Sequence, residues 1–444
     1  MVSEQGFSHF SRRSFLAGAA ATVGAAALAA CGGSGPASGN GNVTLRWAMW
    51  SASADERAVW ADLANDVHKA YPNITVNLET ASFNDYFDKL QTQIASGTQS
   101  DIVSMQSLRM PGFAARHAMQ SLQPFIAKDP SVNPGDFFPS ISDGLSFKKE
   151  LYAFGYDVGP LLLYYNKDLF KAAGVDLPDP NKPMTWDDFR QRCIKLSRPD
   201  SQQYGYVIQP GLDSFVPWLW SGGGDYMDDG ETTCTLDTTD SKASIQFMVD
   251  LILKDKAAAP ITDLSNTQFQ SERFFSGKVG MMIDGPWQFV NVRSNAKFDW
   301  DIAPVPAGKA GSVTWVAGSG FGLSNATKYP DEAWKALSVI TSKASLDKVA
   351  KSGRGYPARQ SSVPAFVNPG VKPEHVDTVL KILSGDIAKT RFFRTTTTWQ
   401  ETEVMLTQEF SPVFLGQRSV DDTVARVKPK FDDLLKKHQS IINQ

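Results

Sequence analysis

The chain has 444 residues and a formal charge of −3, with 42% hydrophobic and 20% charged residues, enough material for two domains and the composition of a globular protein rather than a disordered one. Acids and bases nearly balance and no run of Lys or Arg occurs, which argues against a nucleic-acid surface or a polybasic membrane patch. Small neutral or weakly charged partners fit this balance better.

Residues 1–31 read as a targeting segment. Ser11-Arg12-Arg13-Ser14-Phe15-Leu16 has the twin-arginine form, and an Ala/Gly/Leu/Val run follows from Ala17 to Ala30, too short and too small-residued for a stable span. Leu28-Ala29-Ala30-Cys31 then has the form of a bacterial lipobox, in which Cys31 becomes the lipidated first residue. Residues 32–42, rich in Gly, Ser and Asn, are expected to form a flexible tether. The expected location is the extracytoplasmic face of the cell membrane, lipid-anchored after export.

Val43, Leu45, Trp47 and Met49 alternate along a first strand that ends at a polar loop, Ser51 to Asp55. Val59, Trp60, Leu63, Val67 and Tyr71 follow at helical spacing, then a strand from Ile74 to Leu78 and a helix capped by Ser82. A strand from Asp101 to Met105 and a helical segment from Pro111 to His117 complete repeated β-α units, an α/β domain with a mainly parallel sheet. Leu151 to Phe170 is aromatic and aliphatic for far longer than the usual strand of about 5–6 residues. Gly159-Pro160 interrupts it, so it reads as two collinear strands with a break near Val158 to Pro160, a hinge between two lobes. Grooves between domains are preferred ligand sites, which places the function here.

Beyond the hinge, Thr185 is expected to cap a helix running through Leu196, and a helix begins at Phe215 and ends at Gly222-Gly223-Gly224. Strands are expected over Thr232 to Leu236, Gly280 to Asp284, Ile302 to Pro306 and Thr314 to Leu323. Met227 sits where a calcium loop around Asp225 to Glu231 wants a ligand, so that stretch reads as a solvated turn. The glycines at 318, 320 and 322 match a nucleotide loop weakly, because the next helix waits until Pro330. Pro429 is expected to kink or split the last helix.

Enzymatic motifs are lacking: no GxSxG, no HExxH and no Walker loop occur, and His68, His117, His375 and His438 are widely separated, so neither a metal nor a cofactor is expected. A carboxylate pair for glycoside hydrolysis stays open. Cys193 and Cys234 are either a bridge or two buried thiols. Aromatics are plentiful, with eleven Trp, eleven Tyr and twenty-seven Phe, and Trp50, Tyr156, Trp218, Trp220, Trp287, Tyr356 and Trp399 fall at strand ends or sheet-top loops. Flat rings under apolar C–H faces, with short polar groups at the rim, suit sugars. Gly285-Pro286 fixes Trp287 at a strand's end, and the three glycines after Trp218 and Trp220 let backbone approach a ligand.

Trp50-Ser51, Ser100-Asp101-Ile102-Val103, Tyr164-Tyr165-Asn166-Lys167-Asp168-Leu169-Phe170, Thr185-Trp186-Asp187-Asp188-Phe189, Gly277 to Met282 with Gly285-Pro286-Trp287, and Gly318-Ser319-Gly320, with the lipobox before them, resemble in that order the family 1 extracellular solute-binding proteins of ABC importers. Maltose-binding and glycerophosphodiester-binding proteins belong to that group. The resemblance implies a two-lobed periplasmic-binding-protein fold of the maltose-binding class, with lobe 1 at 42–158 and 303–350 and lobe 2 at 159–302 and 351–444. It implies a monomer that captures a carbohydrate, or a glycerophosphodiester or amino sugar, and presents it to an ABC permease without breaking a bond. A secreted glycan-acting hydrolase is the reading from another class. Carried over by position, Ser51, Asp55, Gln106, Asp157, Trp218, Trp220, Asp284, Trp287, Gly318, Ser319, Arg354, Tyr356 and Trp399 would line the groove. Trp287, Trp218 or Trp220, and Tyr356 would stack on the ligand, while Asp157, Gln106, Ser319 and Arg354 would take hydroxyls or a charged substituent. Gly159-Pro160 stands where the maltose-binding protein has a glutamate just past the hinge.

Overall fold

A computed structural model describes residues 41–51, 53–209, 211–261, 268–366 and 372–443. The twin-arginine stretch, Cys31 and most of the tether lie outside the described residues. Among the described residues twelve strands run in chain order: β1 (Val43–Trp50), β2 (Ile74–Ala81), β3 (Ile102–Gln106), β4 (Ser146–Phe147), β5 (Glu150–Leu151), β6 (Phe154–Pro160), β7 (Leu162–Asn166), β8 (Tyr204–Tyr206), β9 (Val279–Asp284), β10 (Trp300–Ala303), β11 (Val313–Leu323) and β12 (Lys389–Phe392).

The alternation in β1 buries Leu45, Trp47 and Met49 completely, and the helix Ala54–Ala70 starts where the Ser53 hydroxyl accepts the Glu56 N–H at 3.2 Å. Ser82 does occupy the cap of Phe83–Ser96, but its hydroxyl donates to Asp85 instead of accepting a backbone N–H. β1 pairs in parallel with β2 and β3, as β-α units require, and β11 joins β3 antiparallel, so the sheet is mixed. With β12 and β6 also on β11 it has six strands. A second sheet has the order β10-β7-β9-β8, and β4 and β5 form a separate hairpin.

Two lobes follow from this division of strands, and the chain passes from one sheet to the other within Leu151 to Phe170. The break falls at Leu161, one residue beyond the expected place, because Pro160 still pairs with Val316 of β11. Leu161 alone separates β6 from β7, and both its backbone groups bond the Thr314 hydroxyl of β11, each at 3.1 Å. A side chain on Gly159 would meet Pro286 at 2.6 Å, so the crossing needs glycine there for close packing. The chain passes between the sheets again from β10 to β11.

Each lobe has an aromatic core. Trp47, Trp60, Tyr156 and Phe321 pack on the first sheet, with Tyr156 stacked on Phe321 at 4.6 Å. Trp218 packs with Trp186, Phe189, Tyr206 and Phe247 in the second. The strand expected over Thr232 to Leu236 shrinks to one bridge between Met227 and Cys234, because Asp228 gathers the Thr232 and Thr233 N–H groups into a turn. Pro429 neither splits nor ends its helix, which runs unbroken over Val420–Ile442. Cys193 and Cys234 are both buried free thiols.

Candidate functional site

A cavity of about 240 Å³ opens between the two sheets. The ends of β1 and β3 bring Trp50 and Gln106, and β6 brings Asp157. β11 contributes Trp315, Ala317, Gly318 and Ser319 in its central stretch. From the other side come Asp213 and Ser214 at the start of helix Leu212–Ser221, Asp284 at the end of β9, and Trp287, Gln288 and Asn291 just beyond it. β1, β3 and β9 thus present their C-terminal ends and the helix Leu212–Ser221 its start, where backbone turns away and side chains are free to meet a ligand, while β6 and β11 line the space with their middles.

The walls are built locally. Trp287 is held by a tight 3₁₀ turn, Pro286–Gln288, and a Cβ on Gly285 would lie 2.1 Å from its indole ring. Its ring stacks on Trp315 at 5.9 Å and 19°. The Trp315 indole N–H in turn donates to the Asp213 carbonyl at 2.6 Å, so one side chain of the first sheet touches two elements of the second lobe. On β6 the register slips between Ser319 and Gly320, and this bulge directs the Ser319 N–H to Asp157 Oδ1 at 2.7 Å.

Charge is distributed unevenly. Arg354, Glu56 and Asp157 form a buried ion triad, each less than 5% exposed: Arg354 bonds Glu56 through Nε and Asp157 through Nη1 at 3.2 Å. The guanidinium also lies 5.5 Å from the ring centres of Trp60 and Tyr156. Burial pushes the Asp157 carboxyl up to about 6 although Arg354 and the Ser319 N–H pull it down. Asp284, enclosed by the protein, is pushed up to about 6 against the Gly285 N–H and Gln288 that hold its oxygens. Asp213 faces open cavity space, yet enclosure by the surrounding protein, with Glu403 nearby, pushes its carboxyl upward as well. Being open to the cavity, Asp213 feels that enclosure less than the fully buried Asp157 does.

Of the residues expected at the groove, the cavity brings together Gln106, Asp157, Asp284, Trp287, Gly318, Ser319 and Arg354. The others serve elsewhere. Trp218 is the centre of the second lobe's aromatic core, and Gly222 and Gly224 beside it admit Ser244 and Ser241 of a neighbouring helix, leaving no room for a ligand. Trp220 lies under the Arg391 guanidinium at 4.2 Å beside a separate surface depression and donates its indole N–H to Asp225. Tyr356 packs on Phe138 and Phe366, and Trp399 on Tyr226 and Phe393, both buried to 1%. The Ser51 hydroxyl turns to the Ser53 carbonyl, and Asp55 accepts from Ser294 of the opposite lobe at 2.8 Å. Asp213, Gln270, Gln288, Asn291, Glu56 and Trp315 line the cavity without having been singled out from sequence. For Trp315 a signal exists, since strand periodicity puts 315, 317 and 319 on one face.

Outside the cavity, Asp301, Glu374 and His375 bring ligand-type atoms within 4.8 Å of one another, but Glu374 is occupied by Lys167 and Lys372 and His375 by Asp301. Among the described residues no helix is long and apolar enough to cross a membrane.

Comparison with known proteins agrees with this architecture. A putative binding protein of Brucella abortus (strain 2308) is 24% identical over 387 residues, covering 84% of this chain and 89% of its own. An ABC substrate-binding protein from Listeria monocytogenes, solved in complex with cycloalternan, superposes with a TM-score of 0.81 at 21% identity, covering 89% of this chain and 99% of that one. Maltose-bound MalE3 of T. maritima gives 0.75 at 22% identity over 88% and 99%. The fold is thus the two-lobed one of maltose-binding-type receptors. The family model described as bacterial extracellular solute-binding protein matches residues 51–346, and with two thirds of its length inside that model this chain belongs to the family of bacterial extracellular solute-binding proteins.

Proposed function

We propose that the protein captures a carbohydrate in the cavity between its two lobes and delivers it, unchanged, to the transmembrane subunits of an ABC importer. The observation that carries this reading is the pairing of Trp287 and Trp315 beside a rim of short polar groups, Gln106, Ser319, Asn291 and Gln288. Aromatic faces match the C–H faces of a sugar ring, and amides and hydroxyls match its edges. The maltose and cycloalternan held by structural neighbours support the same class. A glycerophosphodiester fits less well, because the cavity's arginine, Arg354, is already engaged by Glu56 and Asp157.

Catalysis is not part of this reading: the protein works as a monomeric receptor, lipid-anchored through Cys31 and divided into lobes at about 42–158 with 303–350 and 159–302 with 351–444, apart from the end of β6 and β12, which pair on the first sheet. Ligand bridging both lobes stabilises the closed form, since only contacts made better in that form shift the equilibrium. Calorimetric titration with mono-, di- and oligosaccharides and glycerophosphodiesters tests it. One saturable saccharide class, recovered intact, is expected; hydrolysis of the bound glycan, or binding of phosphodiesters alone, would overturn it.

A further inference from the structure

The cavity is richer in acceptors than a neutral sugar requires. Asp213 and Asp284 face it together, and among the described residues neither has a Lys, Arg or His in ion-pair contact. Among the described residues Asp213 is held by backbone N–H groups alone, that of Ser214 at 2.9 Å; the nearby Arg109 is already bound to Glu403. Among the described residues Asp284 receives only neutral donors, the Gly285 N–H, the amides of Gln270 and Gln288 and the side chain of Trp287. The other ionisable group facing Asp284 is Tyr164, whose hydroxyl donates to the Gly285 carbonyl at 2.5 Å.

An independent observation points the same way. Asn291, 9% exposed and lining this cavity, gives its amide N–H to Gln288 Oε1 at 3.2 Å while its Oδ1 has no partner. A buried acceptor left without a donor is unfavourable. Two carboxylates without a paired cation, and beside them a buried carbonyl without a donor, thus belong to residues that line one space.

We propose that the preferred ligand is an amine-bearing sugar, its protonated amino group seated between Asp213 and Asp284 and a neighbouring N–H or O–H given to Asn291. This rests on the carbohydrate reading above and narrows it to a substrate class. Phosphorylated and carboxylated sugars are disfavoured by the same two acids. Ionised carboxylates are needed, and enclosure raises both, so the preference for the amine weakens as the medium is acidified through about pH 6.

The test is a calorimetric comparison of glucosamine and its short β-linked oligomers with the matching glucose and N-acetylglucosamine oligomers, on the full chain, at about pH 5 and about pH 7. At the higher pH the free amine should bind at least about tenfold tighter than its neutral counterparts, the scale of a charge-assisted hydrogen bond. That margin should shrink at the lower pH, and in Asp213→Asn and Asp284→Asn the ratio of amine to neutral affinity should collapse. Neutral sugars binding as well as the amine at both pH values would overturn the inference and leave carbohydrate capture standing. Failure of every saccharide would remove both.

Discussion

Replacing Arg354 with Met leaves Glu56 and Asp157 buried without their shared cation, in a site where all three partners are less than 5% exposed. Removing one member of a buried ion pair costs about 3–5 kcal/mol, and since two buried acids lose their shared cation here the upper end, about 4–5 kcal/mol, is expected near neutral pH. The pH dependence has a definite sign. Asp157 titrates near 6 in the folded protein against 3.8 unfolded. Protonation therefore favours the fold: that contribution is complete below the unfolded value and is lost as pH rises through the folded one, worth about 3 kcal/mol over two pH units. Without Arg354 the folded carboxyl is driven higher still. The loss in the variant should thus be largest at about pH 8 and fall to roughly half at about pH 5, as read by guanidinium titrations at both. Adding Glu56→Gln and Asp157→Asn to Arg354→Met should recover much of the stability. A loss below about 1 kcal/mol, or one indifferent to pH, would refute the triad as a buried, mutually dependent unit.

Trp287→Ala should lower saccharide affinity roughly thirtyfold, about 2 kcal/mol, with little change in folding because its ring is only half-buried; unaltered binding in calorimetry would remove it from the site. Gly159→Ala drives a Cβ to within 2.6 Å of Pro286 and should cost roughly 1–3 kcal/mol in urea unfolding, whereas Gly97→Ala has open space around the new Cβ and pays only for its left-handed backbone, about 1 kcal/mol. Burial pushes the thiols of Cys193 and Cys234 up, so in a chain starting at residue 42 neither should react with a thiol reagent at about pH 8 until unfolded, when two should appear; none appearing would indicate a bridge.

Much of the fold was legible because periodicity and punctuation agree: β1 alternates, Thr185 caps its helix, and the Gly159-Pro160 pair marks the passage between sheets within one residue. The site was legible in part. Trp287 and Asp284 are fixed by Gly285-Pro286 at a strand end, a local signal. Trp218 and Trp399 carry no such signal: a tryptophan beside glycines or at a helix start looks the same whether it faces a cleft or a core, and only the packing of distant helices decides. Asp213 and Asn291 escaped notice for the converse reason, since one acid and one amide on short helices acquire meaning only when β11 is laid opposite them. The triad was equally hidden, as Glu56, Asp157 and Arg354 are separated by up to 298 residues.

Leu161 allows its neighbours almost no play, because its N–H and its carbonyl are both held by the same hydroxyl on the other crossing strand. A joint so short permits swinging but not sliding, so the two plates turn about a common axle and keep their spacing there. Any opening wide enough to admit a guest must then be taken up as torsion within a few backbone bonds at Leu161, along residues 304–312 and in the later stretch that leads from β12 to the helix Trp399–Phe414, whose Phe410 and Phe414 pack on Phe215 of the second lobe. Geometry at the far lip follows from those few angles, and substitutions that stiffen them would tune how often the mouth gapes without touching a single group that meets the guest.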